Sequence, residues 1–321
     1  MVLGVERVAV TGAGGFIGGA VCRRLAADGV DVRGLDLPAA AGPVEATGAE
    51  FVACDVTDAA ATAAALRDVS HVVHTAAIVS DWGPMDAYVR VNVEGTRNVL
   101  DAARDAERVV HVSSVAIWGH DFAQDVPEDA PPRPSGNPYV DTKGASDTLA
   151  RERGAVLVRP GDVYGPGSVP WAIRPLQALR AGRFAVPRRG LMTPVYVDDL
   201  VELIRLALVR PEAAGGAFVG WEGPPVQVRE FFDRYARMAG RRRVPALPTP
   251  LLLAFATVDE AVARARGRAP TATRWAVRYL SRRAAYRASR AQEVLGWHPR
   301  VDLDEGMRRT EAWARAEGLL D

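Results

Sequence analysis

Short runs of apolar residues alternate with longer amphipathic or alanine-rich stretches along the first half of the chain. This pattern predicts strands at residues 7–11, 30–35, 51–54, 71–75, 108–113, 156–158 and, farther on, 194–197. It predicts helices at residues 16–27, 59–66, 84–104, 139–151 and 199–209. Short apolar strands separated by helices are typical of a parallel sheet that helices cover on both faces. We therefore predict an α/β fold built on a doubly wound parallel sheet.

The composition of the chain changes after Gly161. Prolines and glycines become frequent there, and arginine-rich sequence with helical character follows. We expect residues 1–166 to form the sheet domain and residues 191–220 to return to it. The remaining part of residues 167–321 is expected to form a smaller, mostly helical region that binds the substrate.

Composition argues against several classes of function. The chain has 321 residues, of which 48% are hydrophobic and 25% charged, and a formal net charge of +1. Scattered arginines in a nearly neutral chain do not form a basic surface for nucleic acid. The longest apolar run, residues 251–258, is too short for a membrane span. Cys22 and Cys54 form no metal or redox motif and the histidines lack metal-ligand spacing, so we expect no metal site.

The start of the chain has no basic region followed by a long apolar core, so no signal peptide is predicted. Together with the low cysteine content, this favours a reduced, cytoplasmic setting. We expect a cytoplasmic protein.

A glycine-rich loop lies between the first predicted strand and the first predicted helix. Gly12, Gly15 and Gly18 recur at every third position, and Phe16 and Ile17 stand between the last two. Glycines at such positions let the backbone turn tightly and approach a pyrophosphate, which rests on the helix N-terminus. A strand, this loop and a helix in that order predict a dinucleotide-binding site.

Asp36 follows the second predicted strand, 18 residues after Gly18. A carboxylate at this place accepts hydrogen bonds from the adenosine ribose hydroxyls and repels a 2′-phosphate, which favours NAD over NADP. Arg33 is three residues too early to favour NADP. The alternative is that Asp36 only caps a loop.

Lys143 is the only lysine among 40 lysines and arginines. It follows Tyr139 by four residues, so the two side chains share one face of a predicted helix. A nearby ammonium favours the phenolate and lowers a tyrosine pKa that is ordinarily about 10. Arginine is a poor replacement because its guanidinium is bulkier and planar. We interpret the pair as an acid–base device; the alternative is a surface pair that arose by chance.

With the glycine loop, the strand–helix alternation and the Tyr139/Lys143 pair, the chain resembles the extended short-chain dehydrogenase/reductases of the NAD-dependent epimerase/dehydratase superfamily. The resemblance covers nearly the whole chain and implies a Rossmann-type fold. It also implies further cofactor contacts, at Asp55, Val56, Ala76, Ala77 and Asn92. Asn92 has the alternative role of bracing the active-site turn, and His74 is expected to be a packed residue rather than a catalyst.

The resemblance implies hydride transfer at the nicotinamide, with Ser114, Tyr139 and Lys143 as catalytic residues. Tyr139 would exchange a proton with the substrate oxygen, and Ser114 would hydrogen-bond that oxygen. Lys143 would keep the pKa of Tyr139 nearer neutral and bond the nicotinamide ribose. Relatives often form homodimers through two helices, which correspond here to residues 84–104 and 138–152.

Weaker features bear on the substrate, which is expected to be a small molecule. Nucleotide-sugar epimerases and dehydratases share the motifs above, but they usually have an Arg-Asp pair where this chain has Met192-Thr193-Pro194. Residues 182–187, 245–258 and 293–301 resemble the 3-beta-hydroxysteroid dehydrogenase-like group. We therefore expect an NAD-dependent oxidoreductase for a secondary alcohol or ketone on a steroid-like or polyketide-like molecule. The alternatives are a nucleotide-sugar epimerase or dehydratase, and a catalytically silent NAD(P)-binding sensor or scaffold.

An apolar pocket is expected beside the reacting groups. Trp82, Trp118 and Trp171 are its predicted lining, together with residues 245–258. The alternative for residues 245–258 is a helix of the core.

Overall fold

The computed structural model describes residues 6–221 and 223–320. In these ranges the strands are β1 (Arg7–Thr11), β2 (Asp31–Asp36), β3 (Glu50–Ala53), β4 (His71–His74), β5 (Arg108–Val112), β6 (Val156–Pro160), β7 (Asp162–Tyr164), β8 (Val186–Pro187), β9 (Leu191–Met192), β10 (Pro194–Tyr196), β11 (Ala217–Gly220), β12 (Val226–Gln227) and β13 (Ala246–Leu247). The α-helices are α1 (Phe16–Ala27), α2 (Ala41–Glu45), α3 (Ala59–Ala65), α4 (Met85–Tyr88), α5 (Gly95–Ala102), α6 (Pro138–Glu152), α7 (Arg174–Arg180), α8 (Val197–Val209), α9 (Val228–Met238), α10 (Thr249–Ala265), α11 (Arg274–Leu280), α12 (Arg290–Leu295) and α13 (Leu303–Ala316).

Seven parallel strands form the central sheet, in the order β11-β6-β5-β4-β1-β2-β3. The chain runs outward from β1 in one direction through β2 and β3, and in the other through β4, β5 and β6. This reversal leaves a crevice outside the carboxyl ends of β1 and β4, which is where doubly wound sheets bind ligands. The predicted Rossmann-type fold is confirmed.

Both faces of the sheet are covered, and the alternation of side chains along β1 shows how. Val8 and Val10 pack in the core that also contains buried residues of α1 and α8. Ala9, which points to the opposite face, packs in a second core beneath α3 and α5. A strand buried on both sides has no polar face, which explains the continuous apolar run that predicted it.

Most predicted elements are present, with shifts of a residue or two at their ends. The helix expected at residues 84–104 consists of α4, a π-helical segment at Val89–Glu94, and α5. The short strand β11 was not predicted, yet its four buried residues form the edge of the sheet beside β6. The division of the chain at residue 166 stays a prediction.

Beyond the sheet, three pairs of very short strands link the remaining helices: β7 with β10, β8 with β13, and β9 with β12. Aromatic side chains fill the space between them. Phe231, Phe232 and Tyr235 of α9 pack edge-on or tilted against one another, and Phe184 contacts Phe232 with ring centroids 5.0 Å apart. Within the described ranges, none of the helices has the length and apolar character needed to cross a membrane.

A buried ion pair fastens α6 to the sheet. Arg159 of β6 donates from Nε and Nη2 to the two carboxylate oxygens of Asp147, at 2.9 and 2.7 Å. Both side chains are 1% exposed. The third guanidinium nitrogen donates to the Glu128 carbonyl at 2.7 Å, and the guanidinium lies over the Trp118 ring. All the polar groups of this pair are therefore satisfied away from water.

We expect Asp147→Asn to lower the free energy of unfolding by about 3–5 kcal/mol, because it leaves the Arg159 charge buried without its counter-ion. Urea unfolding measures the change. The control is Asp28→Asn, which breaks the exposed Arg24–Asp28 pair and should cost less than about 1 kcal/mol. Equal losses in the two variants would contradict a special role for the buried pair.

Candidate active site

The glycine loop at the carboxyl end of β1 is so tightly packed that two positions have no room for a side chain. Gly12 has φ +68°, and a Cβ there would lie 2.8 Å from the Ala76 amide nitrogen. A Cβ on Gly18 would lie 2.1 Å from the Gly12 carbonyl oxygen. The loop can therefore pass close beneath the chain that follows β4 only because these residues are glycines.

The N-terminus of α1 has the features that a pyrophosphate needs. Gly15 is its N-cap, and within the described ranges no side chain caps the first turn, which contains Phe16, Ile17 and Gly18. Amide groups at a helix N-terminus point outward and favour negative charge. A Cβ on Gly15 would meet only the Gly12 carbonyl oxygen, at 3.1 Å, so the space above the loop is open to a ligand. The loop therefore fits the predicted dinucleotide.

Asp36 lies at the end of β2, against the glycine loop. Its carboxylate accepts hydrogen bonds from the Gly14 amide at 2.8 Å and from the Leu37 amide at 2.7 Å. These bonds fix its position and leave further acceptor capacity for hydroxyl groups. Arg33 is directed elsewhere, because its guanidinium donates to the carbonyls of Ala65 and Arg67 at 2.9 and 3.0 Å. The arrangement suits an unphosphorylated ribose.

The other predicted cofactor residues lie at the carboxyl ends of neighbouring strands. Asp55 follows β3 and accepts hydrogen bonds from the amide and the hydroxyl of Thr57. Val56 is buried, and Ala76 and Ala77 are half-buried in the segment after β4. The structure thus places them along one edge of the sheet, while their contacts with a cofactor stay predictions.

Asn92 braces the segment after β4. Its side-chain oxygen accepts from the Ile78 amide at 2.7 Å, and its nitrogen donates to the Ile78 carbonyl and to the Thr142 hydroxyl of α6 at 3.2 and 3.1 Å. It lies in the π-helical segment, a type of local widening that is frequent at functional sites. Asn92 therefore has the bracing role, and a direct cofactor contact stays a prediction.

His74 is a packed residue, as expected. Its two ring nitrogens hydrogen-bond the hydroxyls of Thr11 and Thr96 at 2.7 and 2.9 Å. Burial lowers the pKa of His74 to about 3, with a smaller contribution from the charge of Lys143. The ring is therefore neutral and links β4 to β1 and α5.

The amino end of α6 places Tyr139 and Lys143. Asn137 caps the helix by accepting hydrogen bonds from the Tyr139 and Val140 amides at 3.0 and 3.2 Å, and Pro138 occupies the first turn. The helix continues without a break through Lys143, so the two side chains lie one turn apart on one face. Lys143 is 4% exposed, and its Nζ donates to the Val112 carbonyl at the end of β5, at 2.7 Å.

Ser114 lies two residues after the end of β5, and its side chain hydrogen-bonds Tyr139. Its hydroxyl accepts from the Ala116 amide at 3.1 Å, which caps a short 3-10 turn at Val115–Trp118. The neighbouring Ser113 hydroxyl is buried and has no hydrogen-bond partner in the described part of the chain. The three predicted catalytic side chains are thus gathered where β5 meets α6.

The pKa of Tyr139 differs from the sequence-based expectation. Burial is the larger effect and raises it above its usual value, while a hydrogen bond with the Ser114 side chain lowers it. The Lys143 ammonium is directed at the Val112 carbonyl, and its effect on the pKa of Tyr139 stays a prediction. Burial lowers the pKa of Lys143 itself to about 8, against the opposing charge of Asp147.

A cavity of about 570 Å³ opens beside the amino end of α6. Its lining combines backbone-rich turns with charged and aromatic side chains: Asp81, Trp82, Gly83, Pro84, His120, Ser135, Gly136, Asn137, Pro138, Glu260, Arg264, Thr273, Arg274, Trp275 and Arg278. Asn137 and Pro138 directly precede Tyr139, so the cavity adjoins the candidate catalytic groups.

The predicted lining of an apolar pocket was wrong for Trp118. Trp82 does line the cavity, but Trp118 is 1% exposed and donates its indole N–H to the Ala130 carbonyl inside the core. Trp171 packs against Phe232 and Tyr279. Residues 249–258 belong to α10, whose outer face is exposed. Sequence periodicity does not reveal which tryptophans point into a cavity, because that depends on how the later helices pack.

Aromatic rings nevertheless surround Tyr139 itself. Its side chain packs in a cluster with Trp171, Trp275 and Tyr279. Trp275 stacks on Tyr279 with ring centroids 4.8 Å apart and an interplanar angle of 17°. The reacting end of the site is therefore apolar, whereas the adjoining cavity carries charge.

A buried carboxylate that sequence reasoning did not identify as functional supports this aromatic cluster. Asp162 of β7 accepts from the Tyr279 hydroxyl at 3.0 Å, from the Thr193 amide at 2.7 Å and from Arg282 at 2.5 Å. Arg282 also lies 4.1 Å from the centre of the Tyr279 ring. Thr193 stands in the segment where nucleotide-sugar relatives usually have an Arg-Asp pair, and here it is buried and bonded to Asp162. The departure from that pattern was the only signal in the sequence.

Within residues 6–221 and 223–320, no group of three or more His, Cys, Asp or Glu side chains could hold a metal ion. The two cysteines are free and buried.

Comparison with known proteins agrees with this geometry. The family model described as "NAD dependent epimerase/dehydratase family" matches residues 8–219. The chain is 27% identical to 2-alkyl-3-oxoalkanoate reductase of Stenotrophomonas maltophilia, over 97% of this chain and 100% of that one. It is 32% identical to UDP-glucose 4-epimerase of Mycolicibacterium smegmatis, over 96% and 98% of the two chains. The solved structure of MoeE5 in complex with UDP-glucose and NAD is similar, with a TM-score of 0.77, 25% identity and coverage of 97% and 99%.

We expect burial of Lys143 to make stability rise with pH. The folded lysine loses its proton near pH 8 and the unfolded one near 10.5, so the unfolded state binds more protons between these values. In urea unfolding from pH 7 to 11, the stability of the parent relative to Lys143→Met should increase across this window by up to roughly 3 kcal/mol. No other lysine titrates there. Parallel stability curves for the two proteins would contradict the shift.

Proposed function

The chain belongs to the NAD-dependent epimerase/dehydratase family, in the extended short-chain dehydrogenase/reductase superfamily, and we propose that it interconverts a secondary alcohol and a ketone with net hydride transfer. The observation that carries the proposal is the apolar surround of Tyr139, formed by Trp171, Trp275 and Tyr279. Such a surround excludes water from a reacting carbonyl and suits an apolar, steroid-like or polyketide-like substrate. The similarity to a 2-alkyl-3-oxoalkanoate reductase supports it.

The proton and the hydride have separate sources. NAD, when bound, supplies or accepts the hydride at C4 of its nicotinamide. Tyr139 is protonated at neutral pH because its burial raises its pKa, so it can donate a proton to the carbonyl oxygen during reduction. In the reverse direction the phenolate oxygen receives the proton from the alcohol.

Ser114 and Lys143 position these transfers. The Ser114 side chain already interacts with the Tyr139 phenol, so it can hydrogen-bond a substrate oxygen held between the two. The Lys143 ammonium uses one of its three N–H donors on the Val112 carbonyl and has two left for ribose hydroxyls. Its positive charge would also favour the phenolate once that forms.

The second candidate is a nucleotide-sugar epimerase, which uses the cofactor without net reduction. The similarity to a UDP-glucose 4-epimerase favours it. Against it, Met192-Thr193-Pro194 contains no arginine to contact a nucleotide diphosphate, and Thr193 is buried and bonded to Asp162. The two candidates differ in one observable, since only the oxidoreductase accumulates NADH from NAD and an alcohol.

We expect Tyr139→Phe to reduce turnover at least a hundredfold, because general acid–base catalysis typically contributes about 10²–10⁴-fold. NADH absorbance at 340 nm, with a panel of hydroxysteroids and other apolar secondary alcohols, measures turnover. Affinity for NAD should stay nearly unchanged.

The matched control is Tyr235→Phe. The Tyr235 hydroxyl is buried and has no hydrogen-bond partner in the described part of the chain, so its removal should leave turnover intact. Normal activity in Tyr139→Phe would refute the acid–base role. If the parent produces no NADH from any alcohol of the panel but epimerises UDP-glucose, the second candidate replaces the proposal.

We also expect Asp36→Ala to relax the preference for NAD. The parent should bind NAD at least tenfold more tightly than NADP, because the Asp36 carboxylate repels a 2′-phosphate, and the variant should narrow that ratio. Calorimetric titration of both cofactors measures it. Equal affinities of the parent for NAD and NADP would show that Asp36 only supports the loop.

A further inference from the structure

The cavity beside Tyr139 is lined by three arginines, and two of them are already paired. Arg274 donates from its amide and from Nε to the Glu260 carboxylate, at 2.7 and 2.9 Å. Arg264 lies 3.6 Å from the same carboxylate, and its guanidinium covers the Trp82 ring at 4.8 Å from the ring centre. Arg278 has neither a hydrogen bond nor an ion pair from its guanidinium to any residue in the described ranges.

The remaining ionisable groups of the lining do not neutralise Arg278. The Asp81 carboxylate accepts a hydrogen bond from the Thr273 hydroxyl, and Glu260 is occupied by Arg274. Burial, and then the charge of Arg278, lower the pKa of His120, which disfavours its charged form. Arg278 is therefore the one lining arginine, among the described residues, that has no ion-pair partner.

Arg278 lies close to the candidate catalytic groups through α11. It follows Trp275 by three residues, about one helical turn, and Trp275 belongs to the cluster that contains Tyr139. The cavity lining also contains Asn137 and Pro138, which directly precede Tyr139 in the chain. Trp275 therefore belongs both to the surroundings of Tyr139 and to the lining that contains Arg278.

We propose that Arg278 binds a carboxylate of the substrate, so that the substrate is an oxo acid and the product the corresponding hydroxy acid. This inference rests on the proposed function. A guanidinium matches a carboxylate in shape and can bind both oxygens with parallel hydrogen bonds. The aromatic rings take the apolar body of the molecule and Arg278 takes its charged end.

A single carboxylate fits this cavity better than a nucleotide diphosphate. Among the described residues, the lining has one guanidinium without an ion-pair partner, whereas a diphosphate brings at least two negative charges. Asp81 and Glu260 lie in the same lining and disfavour a second negative charge. An anion of charge −1 is therefore the best electrostatic match for the cavity.

The first test compares apolar oxo acids with their methyl esters, which keep the ketone and lose the charge. NADH oxidation at 340 nm gives KM and kcat for the parent, for Arg278→Gln and for the control Arg237→Gln, which removes an exposed arginine outside the cavity. We expect Arg278→Gln to raise KM for the acids roughly ten- to a hundredfold and to leave the esters unchanged. Arg237→Gln should match the parent. Equal effects on acid and ester would overturn the proposal.

The second test does not depend on turnover, so it separates a failure of the subsite from a failure of the proposed function. Octanoate, octanamide and UDP are titrated calorimetrically into the NAD-bound parent and Arg278→Gln. We expect octanoate to bind more tightly than octanamide in the parent, and this preference to vanish in the variant. Equal affinities of the parent and the variant for octanoate would overturn the proposed carboxylate subsite. The subsite would also be overturned if UDP binding depends on Arg278 and octanoate binding does not.

Discussion

The buried pair of Asp147 and Arg159 is the interaction on which the active-site geometry depends. Asp147 lies on α6 one turn after Lys143, which itself follows Tyr139 by one turn, so fixing Asp147 against β6 fixes all three along the sheet. The hydrogen bond from Lys143 to the Val112 carbonyl attaches the same helix to β5. Because β5 also leads directly into Ser114, the two strands and one helix bring the reacting groups together on rigid elements.

The same packing explains why one lysine remains in an arginine-rich chain. The space at Lys143 is almost fully buried and provides a single backbone acceptor, which suits a slender side chain with a compact ammonium. A guanidinium has five donors in a planar fork, and most of them would be left unpaired there. Burial also lowers the pKa of Lys143 to about 8, so the ammonium loses its proton more readily than an exposed lysine does.

A second buried ion pair holds the proposed substrate region in place, as Asp147 and Arg159 hold α6 against the sheet. Asp162 and Arg282 join β7 to the chain after α11, and Asp162 also holds the Tyr279 hydroxyl. Tyr279 in turn stacks on Trp275, which belongs both to the surroundings of Tyr139 and to the lining of the charged cavity. Helix α11 thus carries both Trp275, which would contact the apolar part of the proposed substrate, and Arg278, which would bind its carboxylate.

Local sequence determined the elements whose geometry is set by near neighbours. Glycines at positions 12 and 18 allow the loop after β1 to pack closely against the chain after β4. The four-residue spacing of Tyr139 and Lys143 places their side chains on one face as soon as α6 forms. Tertiary structure alone decided the direction of side chains that depend on distant contacts. Trp118 turns into the core, burial raises the pKa of Tyr139, and Arg278 has no ion-pair partner in the described ranges while Arg274 pairs with Glu260. The difference has a physical cause: hydrogen bonds within a helix or turn act over a few residues, whereas burial and charge pairing depend on segments that only folding brings together.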